Sequence, residues 1–123
     1  MQFATSIHCM DGRIQGPLIH YIKDKYHVQY VDVITEPGSC KIMAENVDGL
    51  VMQSIDKRIT ISVQVHGSKL IFLSGHYDCA GNPVPKEIQV QQVVKGADVL
   101  QSKYPDVEVV KLWVNENWEV EEL

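Results

Sequence analysis

The sequence predicts an α/β fold: one three-layer domain with a four-stranded, mainly parallel sheet in the order 2-1-3-4 and helices on both faces. Three observations carry this. Apolar or β-branched runs alternate along the chain with stretches at helical spacing, the pattern of a parallel sheet with helical crossovers. The clearest of these runs are continuously apolar, as strands covered on both faces are. The chain of 123 residues is long enough for one real core and too short for two, so residues 1–123 read as a single domain.

Residues 3–10 form the first strand, which runs into Cys9. Asp11 to Gly16 reads as a loop with two glycines, and Pro17 suits a first helical turn, where its missing N–H costs nothing. Leu18, Ile19, Ile22 and Tyr26 then keep helical spacing over 17–26. The second strand is Val28 to Ile34, broken by Glu36-Pro37-Gly38. Ser39 suits the start of a brief helix over 40–46, and Asp48 the start of a longer one to His66. Within that longer stretch Ile59, Ile61, Val63 and Val65 alternate with polar residues, which is the period of a strand. A helix is favoured because Val51, Ile55, Ile59 and Val63 also keep a spacing of four, and because two parallel strands need a crossover. Gly67 fits its C-terminal end. Lys69 to Ser74 is the third strand, Pro83 and Pro85 open a last helix that ends before Pro105, and Val107 to Val114 is the fourth strand.

In this strand order the chain leaves the first strand to one side and returns to the third on the other. The crevice beyond those two strands is therefore the topological switch point, where α/β sheets bind ligands. Cys9 ends the first strand, and His76 and Cys79 follow the third.

Composition narrows the function. With 11 basic and 16 acidic side chains the net charge is -5, so no nucleic-acid footprint is expected. Hydrophobic residues at 45% and charged ones at 22% are ordinary for a globular domain. The start of the chain lacks the pattern of a signal peptide, and no segment approaches the length that crosses a bilayer. Three cysteines without disulfide-framework spacing fit a reducing compartment, the cytoplasm.

Two cysteines and a histidine at the crevice, Cys9, His76 and Cys79, supply the three protein ligands of a catalytic zinc site, which keeps a fourth position open. The bland reading is two interior cysteines and a loop histidine, but ligand type, spacing and position agree on Zn2+. Two thiolates cancel most of the ion's charge, so a bound water needs further help. Asp11 can either accept its proton or become a fourth ligand, and Arg13 can clamp Asp11 through a planar bidentate pair. A phosphatase-like loop from Cys9 to Arg13 is disfavoured, because an acidic side chain sits where the anion would bind. Cys40, His8, His20, His27 and His66 lack partner spacing and read as structural or solvated. Cys40 alone is near enough to Pro37-Gly38-Ser39 to share the crevice. Trp113 and Trp118 read as packing or a subunit contact.

Cys9-x-Asp11-x-Arg13 after one strand and Gly75-His76-x-x-Cys79-x-Gly81 after a later one resemble the β-class carbonic anhydrase family. The likeness spans Phe3 to about Gly81, with Gly12 where a serine is common and Ala80 where a glycine is common. It implies a compact zinc lyase that hydrates carbon dioxide reversibly to bicarbonate by attack of zinc-bound hydroxide. Zinc would lie on Cys9, His76 and Cys79, and Asp11 and Arg13 would orient the hydroxide. Family members are longer and share their active-site walls between subunits, so a homodimer or larger homo-oligomer is expected. The alternatives are a zinc-bearing binding or regulatory module of the same fold, and a zinc hydrolase of another small electrophile.

Overall fold

The computed structural model describes residues 2–123. In chain order it contains β1 (Phe3–His8), α1 (Gly12–Tyr26), β2 (Tyr30–Thr35), α2 (Ser39–Glu45), α3 (Leu50–Thr60), a π-helical turn (Ile61–Val65), β3 (Leu70–His76), α4 (Lys86–Lys103), β4 (Glu108–Val114) and β5 (Val120–Glu122). The sheet order is β2-β1-β3-β4-β5. The first four strands are parallel, as expected, and β5 runs antiparallel to β4.

Strand pleating sorts the side chains into two cores. Ala4, Leu70, Phe72, Leu112 and Val114 face α1, where they meet Ile14, Leu18 and Ile22. Ile7, Ile71 and Leu73 point the other way, onto Met43 of α2, Ile55 and Ile59 of α3, and Val93 and Leu100 of α4. Successive residues of a strand alternate between faces, so both faces must be apolar. That is why β3 is buried at all seven positions. Close packing of α4 needs Gly96, where a Cβ would come within 2.8 Å of Leu73 Cδ2 and 3.0 Å of Met43 Cβ. Among the described residues no helix is long and apolar enough to cross a membrane.

Four sequence expectations are corrected. The sheet has five strands, not four, because Asn115 folds the tail back. Its Oδ1 accepts from the backbone N–H groups of Asn117 and Glu119, and Trp118 takes a left-handed φ of 59°. Such an Asx turn makes a ribbon from a segment whose composition looks like a solvated tail. Second, α1 begins at Gly12 rather than at Pro17: Asp11 is the N-cap, accepting from the Arg13 N–H at 2.9 Å, and Pro17 lies inside the helix. Third, neither Ser39 nor Asp48 caps a helix; Gly38 and Gly49 hold the N-cap positions of α2 and α3, with no side-chain cap bond at either.

Fourth, the long crossover is helical but not α-helical throughout. At Ile61–Val65 it widens to a π turn, which puts Ser62 inward and leaves Ile61 and Val65 exposed. The inward hydroxyl meets Thr5 Oγ1 at 2.6 Å and donates to Asp32 Oδ2 at 2.7 Å. His66 Nδ1 reaches the same Asp32 oxygen at 2.7 Å, and its ring stacks on Phe3. The strand-like alternation of this stretch marks that inward polar residue. Gly67 follows at φ 74°, the left-handed conformation expected at a helix end.

The ribbon is tied to α1 by Glu122, whose carboxylate accepts from Lys25 Nζ and from Tyr26 Oη. The Lys25 bond, and after it the Tyr26 bond, hold the Glu122 carboxyl below its ordinary value. A depressed carboxyl pKa stabilises the fold above the unfolded-chain value and loses that contribution as pH falls through the folded one. Glu122→Gln should therefore lower the urea midpoint at neutral pH and leave it unchanged in strong acid. A midpoint difference that persists undiminished in acid would show that the pairing is not its source.

Candidate metal centre

The site is assembled at the C-terminal ends of β1 and β3. One potential ligand atom each from Cys9, His76 and Cys79 lies within 4.8 Å of the other two, and all three residues are buried. The sulfurs of Cys9 and Cys79 stand 3.9 Å apart as free thiols. Burial pushes the Cys79 thiol up, and the neighbouring Cys9 pushes it further. A divalent cation reverses that balance, since a coordinating thiol loses its proton outright.

The histidine supplies the decisive detail. His76 Nδ1 faces the Tyr77 carbonyl oxygen at 2.8 Å, and because that oxygen can only accept, Nδ1 carries the hydrogen. In the neutral ring the lone pair is then on Nε2. His76 Nε2 is one of three buried side-chain polar atoms without a partner among the described residues, the others being the hydroxyls of Ser39 and Ser74. A buried nitrogen left bare costs stability unless something fills its lone pair. Orphaned Nε2, paired Nδ1 and two nearby sulfurs form a donor set that fits zinc.

Asp11 lies outside this trio. Its Oδ1 accepts from the Arg13 backbone N–H at 2.9 Å and from Nε at 3.1 Å, and its Oδ2 accepts from Nη2 at 2.7 Å. The Arg13 side-chain hydrogen bond is the main reason the Asp11 carboxyl is lowered to about 2. Arg13 is held in turn from two further sides. Nη1 donates to Asp78 Oδ2 at 3.2 Å, Nη2 donates to the Asp78 carbonyl at 3.1 Å, and the guanidinium carbon sits 4.4 Å from the centroid of Trp118. Trp118, expected to be packing, thus packs on the Arg13 clamp.

These observations can be set beside known proteins. Residues 1–123 match the family described as "Putative carbonic anhydrase". The chain belongs to that family. Solved structures that share its fold include three carbonic anhydrases. A tetrameric β-carbonic anhydrase from Sordaria macrospora superposes with a TM-score of 0.68 at 16% identity, covering 99% of this chain and 80% of that one. The β-carbonic anhydrase of Aspergillus fumigatus gives 0.67 at 14% identity, covering 99% and 74%. A carbonic anhydrase from Streptococcus mutans gives 0.65 at 15% identity, covering 96% and 80%. Comparison with curated proteins returns no match.

In this member of the carbonic anhydrase family, sequence reasoning named His8 and Cys40 but missed the amides they meet around the trio. His8, on β1 beside Cys9, is fully buried, with Nδ1 at 2.8 Å from Ser6 Oγ and Nε2 at 2.7 Å from Gln15 Oε1. Burial lowers its pKa against an opposing push from Gln15, which favours the neutral ring. Cys40 is outside the trio as well. Its sulfur lies 3.7 to 3.9 Å from the amides of Asn82, Gln89 and Gln92, and burial raises its thiol to about 11. No spacing in the sequence joins these residues, because helix side chains meet them only across the folded crevice.

The loop bearing Cys79 is fixed by backbone contact. A Cβ on Gly81 would fall 2.7 Å from Pro37 Cβ and 2.9 Å from the Pro37 carbonyl carbon, while Gly38 holds φ 64° directly opposite. Gly81→Ala must push two backbones apart, at a cost of about 1–3 kcal/mol. Urea unfolding should show that loss, and an unchanged midpoint would refute the close approach.

Proposed function

We propose that this chain is a zinc-dependent lyase that interconverts carbon dioxide and bicarbonate, with Cys9, His76 and Cys79 as metal ligands. The observation that carries the reading is the buried, unpartnered Nε2 of His76 beside two cysteine sulfurs. Membership of the carbonic anhydrase family supports the reaction class. Zinc held by Cys9, His76 and Cys79 would supply Lewis acidity to the reaction.

The chain's own groups do the rest. The Tyr77 carbonyl holds the His76 ring in the tautomer that presents Nε2. Asp11, ionised at neutral pH and gripped by Arg13, is a weak base and a well-directed hydrogen-bond acceptor. With both carboxylate oxygens engaged by Arg13, Asp11 would orient the attacking group rather than serve as a ligand. Both the guanidinium and the Asp78 carboxylate are exposed at the rim, where a small anionic product can leave.

Cys79→Ser should lower zinc content measured by elemental analysis. Asp11→Asn should keep the metal and lower kcat by about 10²-fold, read by indicator-based stopped-flow hydration. Full zinc content with no hydration above buffer overturns the lyase and leaves a zinc-bearing binding module of the same fold.

A homo-oligomer completes the proposal. Val47, Leu50 and Val51 are 70%, 85% and 50% exposed, and they border an apolar hollow of about 310 Å³ between α2 and α3. Clustered exposed apolar side chains mark interaction surfaces. Light scattering should give at least a dimer, and a fully active monomer would contradict it. The three free thiols suit a reducing compartment, and we place the protein in the cytoplasm.

A further inference from the structure

We propose that Gln15 on α1 and Gln89 on α4 are positioning residues for the metal ligands, each holding the main chain of one ligand and so setting the affinity of the site for its ion. The inference rests on the metal reading above and adds the groups that keep the donors in place.

Gln15 Nε2 donates to the carbonyl oxygens of Cys9 at 2.9 Å and Asp11 at 2.8 Å. Two carbonyl acceptors fix which end of the amide is nitrogen, so Oε1 faces His8 and must accept from His8 Nε2 at 2.7 Å. In the neutral ring His8 Nδ1 is then left to accept from Ser6 Oγ. The chain of bonds has one consistent direction, from Ser6 through His8 and Gln15 to the Cys9–Asp11 backbone. It ties the turn that carries one ligand and the Asp11 carboxylate to β1 below it.

Gln89 performs the same service for His76. β1 stops pairing with β3 at Ile7 and Leu73, so on that side the ladder ends before His76, which stays in register with Val114 on the β4 side. The backbone of His76 is bonded instead by one amide: Gln89 Oε1 accepts from the His76 N–H at 3.2 Å, and Nε2 donates to the His76 carbonyl at 2.8 Å. Gln89 is 2% exposed and stands where a neighbouring strand would otherwise be. The glycine before the ligand makes the room, since a Cβ on Gly75 would come within 3.0 Å of Gln89 Oε1 and 3.2 Å of the Trp113 ring. Gly75 is thereby explained without reference to the metal itself.

Ligands already fixed in direction lose less freedom when an ion binds, and groups one layer behind the ligands commonly tune affinity about 10- to 100-fold. The test is zinc affinity by competition with a chromophoric chelator, for wild type, Gln15→Met and Gln89→Met, with folding checked by circular dichroism. Gln101→Met is the control, because Gln101 Nε2 also bonds a backbone carbonyl, Val107 O at 2.8 Å, but near the C-terminal end of α4. Both site variants should bind zinc about 10- to 100-fold more weakly, and the control should match wild type. If a methionine variant does not fold, Gln15→Glu or Gln89→Glu replaces it: each keeps the acceptor and removes the donor to the ligand backbone, and the same weakening is expected. Cobalt(II) absorption should shift in the site variants and not in the control.

Site variants that bind as tightly as wild type overturn the proposal while leaving the metal reading intact. A control that weakens equally overturns it too, since lost stability would then account for the effect. Wild-type protein that takes up no zinc overturns the metal reading and this inference with it.

Discussion

Two thiols and a bare imidazole nitrogen, crowded together in the interior at the end of a parallel sheet, are a costly arrangement for a chain to keep. Each alone is tolerable, but together they leave a lone pair unmet and a thiol whose ionisation is opposed by burial and by its neighbour. A divalent cation removes both penalties at once. The other features of the site are means of holding these donors at one point.

The topology does the first part of that work. Because the crossovers place α1 on one face and the other helices on the opposite face, β1 and β3 end side by side with no helix between them. Pleating then sends His76 to the same side of the sheet as Phe72, toward α1 and the Cys9 turn. Glycines do the second part. Gly75 admits an amide and Gly81 admits a backbone, so the motif that carries the candidate ligands is also a pattern of clearances.

How much of this was legible in the sequence follows from the same physics. Cys9, His76 and Cys79 stood out because metal donors come from few residue types and the alternation of strands and helices placed them at one crevice. Asp11 and Arg13 were visible as a pair by their spacing, though α1 starting at Gly12 was hidden by Pro17, which more often opens a helix than lies within one. Gln15 and Gln89 were illegible, and His8 was legible as a structural residue but without its partners. An amide that bonds a backbone carbonyl has no characteristic spacing, and its partner is chosen by how helices pack on the sheet. β5 was hidden for a different reason: a three-residue strand with two glutamates carries almost no apolar signal, and the Asn115 turn and α1 define it.

The Asn115 turn has a further consequence. It delivers Trp118 onto Arg13, so the aromatic wall of the guanidinium belongs to the ribbon at the end of the chain, while the three candidate metal donors sit on other segments. Loosening that ribbon would take one support from the guanidinium, leaving its bonds to Asp11 and Asp78, and would leave two sulfurs and a nitrogen where they were. In this molecule the donor set that could hold an ion and the clamp on Asp11 are secured by different parts of the chain.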